Sequence, residues 1–346
     1  MIYGANGYTG RLIAHAARQR GLAPILAGRD GAAIRALAGE LDAQFRVFDL
    51  SAAQEISRHL HDVALVLHCA GPFSKTAAPM LDACLARKVH YLDITGEIDV
   101  FATCHRAHDA AHAAGVVVLP GAGFDVVPTD CLAAMLKEKL PDASSLVLAF
   151  EAGGGPSPGT AATSVEGLGR GGRARIDGEV RDVPLAWKSR TFMRDGQIRT
   201  AMTIPWGDVY TAFVSTGIPN IETYMAVSPK TIARLRWLRY IRPLLALGPA
   251  QRIMQRRVLA GTPGPSAERR EKTDCHVWGE VRNADGVEQR MELRTPNGYD
   301  LTTSAALGIV AHLLPQRDRL RGGYYTPSQL MGAAYVLSLP GVESIE

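Results

Sequence analysis

The segment Gly4-Ala5-Asn6-Gly7-Tyr8-Thr9-Gly10 constrains this chain more than any other feature. It follows a short apolar run, Met1–Tyr3, and leads into a helix-like stretch, Arg11–Arg20. A strand that turns into a helix through closely spaced glycines needs them for three reasons. The turn is tight, the backbone must approach a pyrophosphate, and the helix must pack close to the sheet. The helix start then offers unpaired N–H groups and a positive dipole end to phosphate. The spacing is GxxGxxG rather than GxGxxG, so its place after a strand carries the argument. The reading is a dinucleotide site built from Gly4, Asn6, Gly7, Tyr8, Thr9 and Gly10; the alternative is a tight structural turn. Only three residues precede Gly4, although this strand should be central. Either the strand is short or the true start lies upstream.

Further apolar runs follow at Ala23–Ala27, Gln44–Phe48, Ala64–Cys69, Val89–Ile94 and Gly115–Leu119, with Ala/Leu-rich stretches such as Ala32–Leu41 between them. Alternating strands and helices predict parallel βαβ units and a doubly wound α/β sheet, a Rossmann domain over residues 1–142. After Ser144 the pattern changes. Ser145–Ala152 reads as a strand, and a helix begins near Thr160. Cys275–Arg282 and Val287–Thr295 flank Asn283-Ala284-Asp285-Gly286, a hairpin signal. Strands without alternating helices predict a second, α+β domain of mixed sheet over residues 143–300. Asp300–Leu314 and Pro327–Leu339 read as two helices within a 301–346 segment that returns to the first domain. Thr326 is the expected N-cap of the last helix, with Pro327 at its first position.

In a doubly wound sheet, ligands bind at the carboxyl ends of the strands. The second strand ends in Arg29-Asp30. A basic residue there can pair with the 2′-phosphate of NADP, whereas an acidic one would hold the 2′-hydroxyl of NAD. Arg29 favours NADP, and NAD becomes the less favoured cofactor. Asp30 as hydroxyl ligand, with Arg29 solvated, is the alternative. Asp49 ends the third strand and is placed near the adenine. Cys69, Ala70, Gly71, Pro72 and Phe73 follow the fourth strand, Thr95, Gly96 and Glu97 the fifth, and Gly121 and Gly123 the sixth. Each loop alone could be an ordinary turn; their recurrence on one edge favours a binding site.

In this order, GANGYTG, AGRD, HCAGPF, YLDITGE and GAGFDVVPTD resemble the saccharopine dehydrogenase-like NADP-binding family. The later stretches Ile204–Tyr224 and Gly322–Ala334 also resemble its bacterial members. The resemblance implies a Rossmann domain, a second α+β domain and NAD(P)-dependent oxidoreduction. It leaves the substrate open. Members include saccharopine-type dehydrogenases, which act on a C–N bond, and trans-acting enoyl reductases, which reduce C=C bonds of acyl chains on polyketide synthases. Gly155–Leu168 loosely resembles a segment of the enoyl reductases, with Ser157-Pro158 as a departure. The leading expectation is reduction of an apolar or carrier-bound unsaturated or carbonyl substrate. A saccharopine-type amino-acid dehydrogenase would need a cationic pocket for several carboxylates. A non-catalytic NADP-binding sensor is the third reading.

Hydride chemistry asks the protein for orientation and sometimes for a proton donor. Asp125 and Glu97 are the carboxylates nearest in sequence to the expected ligand loops, and are the candidate catalytic groups. The alternative is that Asp125 stabilises a turn and Glu97 caps a helix. Asp130 fits a first-turn residue that complements a helix dipole. Cys104, His105, His108 and His112 include an i,i+4 histidine pair that could hold zinc. No third ligand is evident, so no metal is expected. No GxSxG supports a serine hydrolase.

The net charge is +4 over 346 residues, but it is uneven. Residues 1–142 carry 13 basic and 15 acidic side chains, and residues 143–346 carry 25 and 19. The stretch 223–267 holds eight basic residues and no acidic one, so the rest of the chain is net −4. That excludes a general polyanion binder, and no recognition module argues for nucleic acid. Leu235, Leu238, Ile241 and Leu245 recur at helical spacing, and Pro243 should break the helix. A basic amphipathic arm can dock on an anionic membrane or an acidic carrier protein, or cover a greasy substrate. A helical lid with solvated arginines is the competing reading. No stretch of about 18 apolar residues argues for a membrane span. No basic-then-apolar leader opens the chain. Five cysteines without a CxxC suggest reduced thiols and a cytoplasmic protein, peripheral to membrane if the arm docks there. A homodimer through the second domain's sheet is a further expectation.

Overall fold

The computed structural model describes residues 1–241, 247–261, 264–317 and 319–345. The chain divides into two compact units, Met1–Val127 with Tyr299–Met331, and Pro128–Gly298 with Gly332–Glu346.

The first unit opens with β1 (Ile2–Tyr3), α1 (Tyr8–Gln19), β2 (Leu26–Gly28), α2 (Gly31–Leu41), β3 (Phe45–Val47), α3 (Ala53–His59) and β4 (Leu65–His68). It continues with α4 (Phe73–Arg87), β5 (His90–Asp93), α5 (Ile98–Arg106), α6 (His108–Ala114) and β6 (Val117–Leu119). The strands lie in the order β6-β5-β4-β1-β2-β3, all parallel. The order reverses between β1 and β4, which is the switch point where such sheets take ligands. Although β1 has only two residues, it is central, with Tyr3 opposite both Ala27 and His68. β4, β5 and β6 are buried at every position, as expected when helices cover both faces of a parallel sheet. α1 turns Gly10, Ile13, Ala14 and Ala17 inward, the i, i+3, i+4, i+7 stripe of an amphipathic helix.

The second unit starts with α7 (Val127–Lys139), β7 (Ser145–Ala152), α8 (Pro158–Arg170), β8 (Gly172–Ile176), β9 (Glu179–Val183), β10 (Ser189–Arg194) and β11 (Gln197–Thr203). Then come α9 (Asp208–Thr216), β12 (Asn220–Ala226), α10 (Pro229–Leu238), α11 (Gly248–Gly261), α12 (Ala267–Glu271), β13 (Asp274–Arg282) and β14 (Glu288–Pro296). Its sheet runs β10-β11-β12-β7-β13-β14, with β7 and β12 parallel and the other neighbours antiparallel. One face packs on α7: a Cβ on Gly279 would lie 2.5 Å from Leu136 Cδ1. The other face gathers Val147, Ala149, Ala201, Tyr224 and Trp278 into a small core. The sheet curls over that core. Trp278 Nε1 donates to Met193 O at 3.2 Å, and Arg190 meets Glu280 at 3.0 Å, although three strands separate β10 from β13.

Beyond α13 (Gly298–Leu313), β15 (Gly323–Tyr324) adds a seventh parallel strand beside β6 in the first unit. α14 (Pro327–Met331) begins with a reciprocal cap: Thr326 N donates to Gln329 Oε1 at 3.2 Å, and Gln329 N to Thr326 Oγ1 at 3.4 Å. The single helix expected over Pro327–Leu339 is instead two pieces. Gly332 takes φ +89°, which ends α14, and Ala333–Ser338 forms a 3-10 turn. β16 (Glu343–Ile345) then pairs with β14. Residues 332–346, expected with the first domain, therefore belong to the second unit, and the first boundary falls at Val127 rather than 142. The reason is local: α7 covers the second sheet, and β16 completes it.

Candidate functional site

At the end of β1 the backbone leaves no room for side chains. Gly4 has φ +81°, and a Cβ there would lie 2.7 Å from Ala70 N. The Gly4 N–H donates to Ala27 O at 2.7 Å, and the Gly7 N–H to Gly4 O at 3.0 Å. A Cβ on Gly10 would sit 2.3 Å from Gly4 O, so this glycine sets how closely α1 approaches the strand. Gly7 caps α1 without a side-chain hydrogen bond, and the first turn carries no acidic residue. The helix end is thus left electrostatically open to an anion. Asn6 packs over β2, its Oδ1 only 3.0 Å from where a Cβ on Gly28 would stand. Tyr8 packs edge-on to Tyr299, centroids 4.9 Å apart, and Thr9 is half-buried beside it in the chain.

The strand tips expected to hold ligands come together along this edge. Arg29 is exposed at the tip of β2. Asp30 is also exposed, but its Oδ1 accepts from Ala32 N and Ala33 N, each at 3.1 Å, and caps α2. Asp49, at the tip of β3, is held below the usual carboxylate range, first by hydrogen bonds from Ser51 and also by the charge of Arg29. After β4, the Cys69 N–H donates to Tyr3 O at 2.7 Å, and burial pushes its thiol far above the ordinary range. Burial thus keeps Cys69 in its neutral thiol form. Ala70 touches the glycine turn, and its carbonyl accepts from Thr76 Oγ1 at 2.7 Å. Gly71 has space around it, the nearest atom to a Cβ being the Phe73 ring at 3.7 Å. Pro72 precedes α4 as its N-cap residue.

Glu97 spans two loops. Its Oε1 accepts from Phe73 N at 2.8 Å and its Oε2 from Ser74 N at 2.9 Å. The side chain caps α4, a neighbouring helix, rather than α5, which it precedes. Both carboxylate oxygens are thus engaged by backbone N–H groups. Thr95 Oγ1 accepts from the Glu97 N–H at 3.1 Å and fixes that loop. Asp125 comes from the loop after β6, and its Oδ2 lies 2.8 Å from where a Cβ on Gly96 would be. Burial, then the Glu97 charge, raise its carboxyl to about 7. Such a group holds a proton near neutrality.

Further side chains hold these loops in place, and of them Thr302 and His68 were not singled out in the sequence. Asp93 is fully buried; its Oδ1 accepts from Thr95 N and Gly121 N, each at 3.0 Å, and its Oδ2 from Tyr91 OH at 2.7 Å. Burial still raises its carboxyl to about 6. Thr302, on α13, accepts from the Phe124 N–H at 2.9 Å and approaches within 2.8 Å of where a Cβ on Gly123 would be. Gly121 takes φ +78° against Val126 and Phe101. The legible signal for Thr302 was a polar triplet, Thr302-Thr303-Ser304, inside an otherwise apolar helix. His68, at the end of β4, is fully buried among Tyr3, Phe73 and Tyr91 with no hydrogen-bond partner among the described residues, and burial lowers it to about 3.

The histidines that invited a zinc reading hold β15 instead. The Tyr324 N–H donates to His108 Nδ1 at 3.2 Å, and Arg321 Nε donates to His112 Nε2 at 2.9 Å. The His105 ring lies against Tyr324, centroids 4.7 Å apart. Asp130 is in the first turn of α7, where it accepts from Ser215 Oγ. In the second unit, a groove of about 420 Å³ includes Lys188, Arg190, Glu222, Glu280, Arg282 and Glu288 in its lining. Its cations are matched: Lys188 pairs with Glu222, Arg190 with Glu280, and Arg282 with Glu288. The arm expected over 223–267 becomes α10, a short turn and α11; its Arg242, Pro243, Leu244 and Leu245 lie outside the described residues.

Residues 1–119 match the family model described as the saccharopine dehydrogenase NADP binding domain. The match covers about a third of the chain. A trans-acting enoyl reductase of Mycobacterium leprae is 33% identical over 141 residues, which is 38% of this chain and 33% of that protein. A saccharopine dehydrogenase-like oxidoreductase of Rattus norvegicus is 26% identical over 150 residues, 38% of this chain and 35% of that protein. The matches to these curated relatives thus span about a third of their length. Among solved structures, apo saccharopine dehydrogenase (L-Glu forming) from Saccharomyces cerevisiae superposes with a TM-score of 0.64 at 10% identity, covering 100% of this chain and 99% of that one. At that identity the likeness is one of fold.

Proposed function

We propose that the chain is an NADP-dependent oxidoreductase that reduces an apolar or carrier-bound substrate carrying a C=C or C=O bond. The observation that carries the reading is the edge around β1. Gly4 and Gly10 let the turn pack where any Cβ would collide with Ala70 or with Gly4 O, α1 starts there uncapped, and an exposed Arg29 stands at the next strand tip. The match of residues 1–119 to an NADP-binding domain family supports the same cofactor. Asp30 already caps α2 through two backbone N–H groups, which supports Arg29 as the residue that meets the 2′ position. Gly4, Gly7 and Gly10 would bring backbone to the pyrophosphate; Asn6, Ala70 and Gly71 would line its path.

A bound nicotinamide supplies the hydride, and the protein's share is orientation and control of a proton. Asp125, with its carboxyl near 7, is the group we assign to hold that proton. Glu97 positions it by fixing the α4 start and by raising its proton affinity. The relatives named as enoyl reductases support an unsaturated acyl substrate. The groove of the second unit, whose cations are each matched by a carboxylate, offers little to a substrate with several carboxylates. Five cysteines free of disulfides support a reducing, cytoplasmic setting.

A fluorescence titration with NADPH and NADH, repeated on Arg29→Ala, tests the cofactor. NADPH should bind at least about tenfold tighter than NADH, and the variant should lose most of that preference. Equal affinities in the wild type overturn the choice of NADP, and no binding by either overturns the oxidoreductase reading.

A further inference from the structure

α10 and α11 each expose basic and apolar side chains, none of them among the nucleotide-site residues. On α10 and the turn after it, Lys230 and Arg234 are exposed, and Trp237 and Tyr240 are 61% and 84% exposed. Positions 230, 234 and 237 recur at i, i+4, i+7 and form one stripe. On α11, Arg252, Arg256 and Arg257 are exposed, with Ile253 and the preceding Leu247 each 55% exposed. Of the ten large apolar side chains exposed among the described residues, four fall between positions 237 and 253. No acidic residue occurs from Thr223 to Ala267.

The inward faces of both helices are anchored. Arg236 donates to Ala186 O at 3.3 Å and to Ser189 Oγ at 3.2 Å, and Arg239 donates to Leu185 O and Ala186 O. Gln251 Nε2 donates to Val165 O at 3.2 Å and ties α11 to α8. Among the described residues, two of the segment's arginines are thus spent on structure, while five cations and four large apolar side chains face water. Large aromatic rings with a polar tip are poorly placed in bulk water and well placed at a lipid headgroup layer. Arginine and lysine in a stretch of chain that has no acidic residue are drawn to an anionic leaflet. An amphipathic helix with a cationic flank lies in the plane of such an interface.

We propose that the exposed sides of these two helices dock together on the surface of an anionic lipid bilayer. Trp237 and Tyr240 enter the headgroup layer, while Lys230, Arg234 and the three arginines of α11 meet lipid phosphates. The proposal goes beyond the nucleotide reading and stands independently of it.

The test is co-sedimentation of the full chain with vesicles of phosphatidylcholine containing about 30 mol% phosphatidylglycerol, and with phosphatidylcholine alone. Binding to the anionic vesicles should be at least about tenfold stronger than to neutral ones, and should fall about as far in high salt. Arg252→Glu/Arg256→Glu/Arg257→Glu should lose it, and Arg252→Gln/Arg256→Gln/Arg257→Gln should weaken it, keeping the test valid if charge reversal disturbs folding. Trp237→Ala/Tyr240→Ala should weaken it and abolish a blue shift of tryptophan fluorescence on binding. The proposal fails if the wild type ignores anionic vesicles at low salt, or binds neutral ones equally. It also fails if the glutamine variant binds undiminished, or if an acidic carrier protein is retained where vesicles are not.

Discussion

At the scale of single residues, the Asp125 and Glu97 carboxylates are electrostatically coupled. Burial and the Glu97 charge lift the Asp125 carboxyl from the ordinary aspartate range to about 7. Between those values the folded chain keeps a proton that the unfolded chain has lost. Stability therefore falls as pH rises through that window and levels above about 7. Asp125→Asn removes a charge that the fold tolerates poorly. It should melt higher than the wild type at pH about 8 and lose that advantage below about 4. If Asp125 handles the proton, the same variant should turn over at least about a hundredfold more slowly. A rate near wild type would leave Asp125 as a turn residue. Glu97→Gln makes a subtler test. Glutamine keeps an acceptor for the α4 start but drops the charge that repels the Asp125 carboxylate. The pH–rate limb governed by Asp125 should move to lower pH, with a modest loss of turnover. A limb that stays in place would reduce Glu97 to a helix cap.

At the scale of elements, the sequence disclosed what is local and hid what is long-range. The glycine turn, the six N-terminal strands, the strand Ser145–Ala152 and the hairpin around Gly286 rest on turn chemistry and apolar runs, and each is visible in a dozen residues or fewer. Asp30 and Glu97 show the limit. Their carboxylates were legible as site candidates, but that Glu97 caps α4 rather than α5 depends on two loops 23 and 24 residues apart meeting. Thr302 was hidden for the same reason at a separation of 178 residues. β15 was missed because two residues carry no periodicity, and only neighbouring β6 makes them a strand. Its anchors are histidines that looked like metal ligands by spacing alone. Removing one should loosen the strand without touching the glycine turn. His108→Ala leaves the Tyr324 N–H without its acceptor, at a cost of about 1–3 kcal/mol. Hydrogen exchange at Gly323 and Tyr325, whose N–H groups bond to Val116 O and Val118 O, should quicken by roughly ten- to a hundredfold. Unchanged exchange there would mean that β15 is held by its backbone alone.

For the whole molecule, the division into two units gives the cofactor a thermodynamic signature. The glycine turn, Arg29, Asp125 and Thr302 all belong to Met1–Val127 with Tyr299–Met331. A ligand held by those groups stabilises that unit by mass action, about 2.7 kcal/mol at a hundred times its dissociation constant. For a body of that size each kcal/mol raises the melting temperature by roughly 2–4 °C, so saturating NADPH should raise it by about 5–10 °C. NADH at the same concentration should give less, because it brings no phosphate to Arg29. In Arg29→Ala the two nucleotides should shift the transition alike. Differential scanning calorimetry separates the possibilities. Where the units melt apart, only one transition should move with NADPH; where they melt together, the single transition should move and its NADPH excess should vanish in the variant. A second transition shifted alone, in a variant that still prefers NADPH, would place the nucleotide in the other unit and remove the glycine edge from the site.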